Sequence, residues 1–93
     1  MKEAMQYPKG DLRRMLSVLA AIDSIEQATL VKIVALTNID KKTVTNLIAQ
    51  AREQAGVSIV KNGAVYSIEN WGAVIKKSGA KMCFTGALNA PKI

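Results

Sequence analysis

Residues 28–50 read ATLVKIVALTNIDKKTVTNLIAQ, and local chemistry alone places two helices and a tight turn on them. Thr29 carries a hydroxyl that can accept from an opening backbone N–H, and after it Leu30, Ile33, Val34 and Leu36 recur at the spacing of an inward helical face. Thr37, Asn38 and Ile39 form the connection, because Asn tolerates left-handed backbone better than any residue except Gly. Asp40 then caps a further helix. At about 100° per residue, Val44, Leu47, Ile48, Ala51 and Ala55 fall on one side, while Lys42, Asn46, Ala49 and Glu53 point away from it.

Upstream, a polar start ends at Pro8-Lys9-Gly10, and Asp11 can cap a helix running to Ile22 in which Leu12, Met15, Leu16, Leu19 and Ile22 recur at helical spacing. Downstream, Gly56 ends the third helix. Val57–Lys61 and Ala64–Ile68 then read as two strands joined by Asn62-Gly63, a strong hairpin signal. A loop of those two residues sets Lys61 opposite Ala64, Ile59 opposite Tyr66 and Val57 opposite Ile68, making one face apolar. The other face, with Ser58 opposite Ser67 and Val60 opposite Val65, meets solvent. Asn70 can cap a short last helix, Trp71 to Lys77, with Trp71, Val74 and Ile75 inward and Lys76 and Lys77 at its end. Beyond it Gly79, Gly86 and Pro91 interrupt any helical pattern, yet Met82, Phe84, Leu88 and Ile93 are apolar. The chain thus divides into an arm over 1–10, a domain over 11–77 and a tail over 78–93 that is docked, dimer-forming or disordered. The expected class is mainly α with a small β-hairpin, an α+β domain.

In all, 93 residues allow one modest core, and 49% apolar against 22% charged residues marks a globular chain rather than a disordered one. Thirteen Lys and Arg against seven Asp and Glu leave a net +6, which favours a polyanionic partner. One cysteine, Cys83, and no histidine exclude an internal disulfide and the usual zinc and iron–sulfur ligand sets. The start, MKEAMQYPKGD, lacks the apolar core of a signal peptide, and no apolar run is long enough to span a bilayer, so a cytoplasmic protein with no membrane partner is expected. Catalysis is not expected: there is no histidine, no close pair of carboxylates on one helix face and no glycine-rich phosphate loop. No cofactor, metal or small-molecule ligand is called for.

The stretch 28–50 resembles the helix-turn-helix core of bacterial winged-helix regulators, as in the IclR, MarR and ArsR groups. Thr29 and Leu30 match the cap and first buried residue, Ile33 and Val34 the buried pair, Ile39 the apolar residue of the turn, and Asp40 the cap of the recognition helix. Asn38 stands where the family usually has Gly, and Val34 where it usually has Ala. The resemblance implies a winged helix-turn-helix with a three-helix core, a two-stranded wing and a short C-terminal helix. It also implies that Lys41, Lys42, Thr43, Thr45 and Asn46 enter the major groove of double-stranded DNA while Val44 and Leu47 hold the helix to the core. The chemistry of these side chains suits DNA, since Lys donates to guanine or phosphate, Asn bonds adenine through two hydrogen bonds, and Thr contacts phosphate or a thymine methyl. Thr29, Arg13, Arg14 and the hairpin tip, Lys61 and Asn62, are further DNA-contact candidates, chiefly to phosphate.

The function these residues imply is sequence-specific duplex DNA binding by a small transcriptional regulator, with a homodimer supplying a second half-site. The alternative is a winged-helix adaptor that binds protein and no nucleic acid. Among other residues, Trp71 reads as a core anchor, Arg52 with Glu53 as surface charge, and Cys83 as a thiol that nearby Lys81 could make more acidic.

Overall fold

A computed structural model describes residues 7–85. They form four helices and a small three-stranded antiparallel sheet, an α+β fold: α1 (Leu12–Ser24), β1 (Ala28–Thr29), α2 (Leu30–Thr37), α3 (Lys41–Ala55), β2 (Ser58–Asn62), β3 (Val65–Asn70) and α4 (Lys77–Thr85). Residues 1–6 of the expected arm and 86–93 of the expected tail, Leu88 and Ile93 included, lie outside the described residues.

The first three helices begin where a short polar side chain can satisfy the opening amides. Asp11 accepts from the Arg13 N–H at 2.9 Å, Thr29 from the Lys32 N–H at 3.3 Å, and Asp40 from the Thr43 N–H at 3.0 Å. Two of these helices end on left-handed residues, Asn38 (φ 57°) after α2 and Gly56 (φ 67°) after α3. Asn38 also closes the α2–α3 turn by donating its N–H to the Val34 carbonyl at 2.8 Å.

The sheet runs β1-β3-β2. It contains a strand that the sequence reading lacks, since Ala28 and Thr29, just ahead of α2, pair with Tyr66 and Val65. The hairpin register also differs from expectation: Asn62 pairs with Val65, Lys61 with Tyr66 and Ile59 with Ile68. The loop is therefore Gly63-Ala64, with the positive φ (65°) confined to its first residue, as a turn with glycine leading requires. Because the shift is an even number of residues, the same side chains still face inward, and Val57, Ile59 and Tyr66 are buried as the apolar pattern demands.

The core gathers Met15, Val18, Leu19 and Ile22 of α1, Ile33 of α2, Val44, Ile48 and Ala51 of α3, and the buried strand residues. Leu12 departs from the expected stripe and is 62% exposed. The larger correction concerns 71–77. No helix begins at Asn70; its side-chain oxygen accepts from the Gly72 N–H at 2.7 Å, and Gly72 turns left-handed at φ 76°. Trp71 and Ile75 pack against the core, but Val74, expected inward, is 72% exposed. The helix forms later, over Lys77–Thr85, and lies along α1 with Ala80 and Cys83 fully buried. Lys77 and Lys81 of α4 reach Asp23 of α1 at 3.6 and 3.8 Å.

Candidate nucleic-acid interface

The candidate surface begins at the amino end of α3. Lys41, Lys42, Thr45 and Asn46 are exposed, Thr43 is half-buried, and Val44, Ile48 and Ala51 hold the opposite side in the core. The helix is thus fixed by its apolar face and presents its polar one. Two of the expected contact groups are already engaged. The Thr43 hydroxyl donates to Asp40 Oδ1 at 2.7 Å, and the Thr45 hydroxyl donates to the Lys41 carbonyl at 3.0 Å. The bond from Thr43, with its backbone N–H and the nearby Arg14 charge, holds the Asp40 carboxyl below the usual carboxylate range.

Arg13 and Arg14, adjacent in sequence, meet different fates. Arg13 forks onto the Asp11 carboxylate, Nε at 2.9 Å and Nη2 at 2.7 Å, and its guanidinium lies 4.4 Å from the centre of the Tyr7 ring. This lowers Asp11 to a pKa of about 2 and raises that of Arg13. The Arg13 guanidinium is thus engaged within the chain by Asp11 and Tyr7. Arg14, about 100° further round the helix, lines a small cleft between α1 and α3 with Asp11, Thr43, Leu47 and Gln50. The fold brings Arg14 to the amino-terminal half of α3.

A second cluster lies across the sheet. Thr29, Val65 and Asn62 form one row from β1 through β3 to β2, which sets the α2 amino terminus beside the hairpin tip, roughly 10 Å apart at the usual strand spacing. The Thr29 hydroxyl serves as the α2 cap. Lys61 is exposed, with its ammonium 5.4 Å from the centre of the Tyr66 ring. The hairpin is tied to α3 not at its amino end but at Arg52, whose guanidinium donates twice to the Ile59 carbonyl, at 3.2 and 3.0 Å. Arg52 stands eleven residues after Lys41, roughly 16 Å along the helix. Read from sequence as surface charge, Arg52 is thus a clamp between α3 and β2. Only a neighbour seven residues away in sequence reveals this.

Two further features were not read from sequence. Leu12, Met15, Leu16, Ala55, Val74 and Ile75, with α4, line an apolar groove of about 350 Å³ at the carboxyl end of α3. Cys83 is buried there, and burial pushes its thiol pKa up, contrary to the acidification expected from Lys81, which faces Asp23 instead. Among the described residues no cluster of metal-ligating side chains occurs, and no helix is long and apolar enough to cross a membrane. In comparisons with known proteins the chain matches no family model, no curated protein and no solved structure.

Proposed function

We propose that the protein binds double-stranded DNA as a winged helix-turn-helix module serving transcription, with α3 in the major groove and the β2–β3 hairpin as the wing. The observation that carries this reading is the exposed group Lys41, Lys42 and Asn46 on the outer face of a helix whose other face is locked into the core, with Arg14 alongside. Such a helix end can enter a groove of matching width while its lysines neutralise phosphates, and the net +6 adds long-range attraction. The test is fluorescence anisotropy of the full chain with a random-sequence duplex across a salt series. The logarithm of affinity should fall linearly with the logarithm of salt, about 0.9 per phosphate neutralised, and Lys41→Ala should reduce that slope by about one. No binding at low salt would refute the proposal.

A second reading rests on a different observation. The groove at the far end of α3 is flanked by two exposed apolar side chains, Leu12 and Val74, a combination suited to a protein partner or to a second copy of the chain. An adaptor without nucleic-acid contact would use that face alone; a DNA-binding dimer would use both.

A further inference from the structure

We infer that the protein is a largely sequence-tolerant duplex binder in which Asn46 is the main base-reading side chain; this rests on the DNA-binding reading above.

Reading a base edge requires a donor or acceptor that is both exposed and uncommitted, whereas holding a phosphate requires only positive charge within reach. On the outward stripe of α3 the uncommitted groups are few. The Thr43 hydroxyl proton is held by Asp40 Oδ1, while Oδ2 of the same carboxylate caps the helix through the Thr43 N–H. Thr45 has its proton on the Lys41 carbonyl. One turn on, Gln50 donates its amide to Gln54 at 3.1 Å and sits on the wall of the α1 cleft. Ala49 offers only a methyl group, and the exposed Glu53 places a negative charge where the helix would run on along the groove. The threonine oxygens can then only accept, and the side chains of the stripe with free donors are Lys41, Lys42 and Asn46. A lysine ammonium is a point charge without the fork that fixes two acceptors of guanine; of the two arginines on α1, Arg13 is occupied by Asp11 and Arg14 is half-buried along the α1–α3 cleft rather than on the outward stripe. On this stripe of α3 Asn46 alone combines exposure with a planar amide that can give and take a hydrogen bond at adenine. Arg14, Lys41, Lys42 and Lys61 supply chiefly charge, which at a phosphate carries no sequence information.

The experiment is selection of the full chain on a random-sequence duplex library at low salt. Affinities are then measured for every single-base change in the best-bound sequence, with wild type, Asn46→Ala, Lys41→Ala and Lys42→Ala. The expected profile has one base pair, or two adjacent ones, where a change weakens binding about 5- to 150-fold, the range of one good bidentate contact. All other positions stay within a few-fold. Asn46→Ala should bring the preferred sequence down to the affinity of the rest, and the two lysine variants should weaken every sequence by a common factor. A motif of three or more strongly discriminating positions, or a preference that survives Asn46→Ala, would overturn the inference while leaving DNA binding intact. Failure to bind any duplex would overturn the underlying reading, and this inference with it, and is told apart by the absence of any selected sequence.

Discussion

Gly72 stands where a side chain has nowhere to go. A Cβ built there would lie 2.7 Å from the Gly56 carbonyl oxygen and 3.1 Å from that of Ala55, both backbone atoms at the end of α3. Gly56 makes the ideal control, since it too is left-handed (φ 67° against 76°) but has nothing within 4 Å of its virtual Cβ. Left-handed backbone costs a non-glycine residue about 1–2 kcal/mol, and the stiffer unfolded chain offsets about 0.4–1 of that, so Gly56→Ala should destabilise by about 1 kcal/mol. Gly72→Ala bears the same term plus an overpacking cost of about 1–3 kcal/mol, because carbonyls at a helix terminus cannot swing aside as a flexible side chain would. The total is about 2–4 kcal/mol. For a domain of this size each kcal/mol moves the melting temperature by roughly 4–8 °C, so thermal melts followed by circular dichroism should separate the variants by at least several degrees. Equal losses for the two would refute the packing of the 71–76 turn onto the end of α3, and with it the replacement of the expected Trp71–Lys77 helix by a turn.

Three further outcomes are expected. Asp11 has its folded pKa lowered to about 2 from the ordinary 3.8, so its contribution is complete above 3.8 and lost as pH falls through the folded value; the melting temperature of Asp11→Asn should lie below wild type well above pH 3.8 and converge with it near pH 2. Ala80 is fully buried where α4 meets α1, so Ala80→Asp, which brings an unpaired carboxylate into that contact, should cost about 2 kcal/mol or more in urea titration, and an unchanged midpoint would count against the α1–α4 contact. Ser17 is buried with no hydrogen-bond partner for its hydroxyl among the described residues, so Ser17→Ala should stabilise the protein by about 1 kcal/mol; a lower melting temperature would show that the hydroxyl has a partner.

The starts of the first three helices and the stops of α2 and α3 were legible because their chemistry is local. Asp11, Thr29 and Asp40 each cap through an amide two or three residues on, and Asn38 and Gly56 stop helices through their own backbone conformation. The hairpin register was not, since Lys61-Asn62-Gly63-Ala64 accommodates two different loops, and which one forms is settled together with the third strand, β1, whose partner lies 36 residues on, at Val65. The last helix was missed for a related reason. Gly79 weakens its local signal, and what stabilises it is α1, over fifty residues earlier. Yet one sign was available. Residues 17–22 of α1, SVLAAI, are buried on every side, and such a helix requires partners all round rather than along one stripe. α2, α3 and the sheet cover part of that circumference; α4 covers the rest.

At the candidate interface the residue types were legible and their commitments were not. A sequence presents hydroxyls, amides and cations as though each were available, but the same short polar side chains that make good contacts also make good caps. Thr43 shows the conflict: three residues after a capping aspartate, its hydroxyl is within reach of the carboxylate whether or not DNA is present. Arg13 shows it again, since the aspartate that starts α1 lies two residues before it and takes both its charge and its fork. Arg14 escapes because one further residue rotates it away from Asp11's grip and toward α3, where its charge is felt at Asp40. Of two neighbouring arginines that composition cannot tell apart, the capping aspartate engages the first and leaves the second without an ion pair among the described residues. A charge-reversing Arg14→Glu should accordingly weaken DNA binding far more than Arg13→Glu does at matched stability, and the opposite order would place the interface on another face of α1.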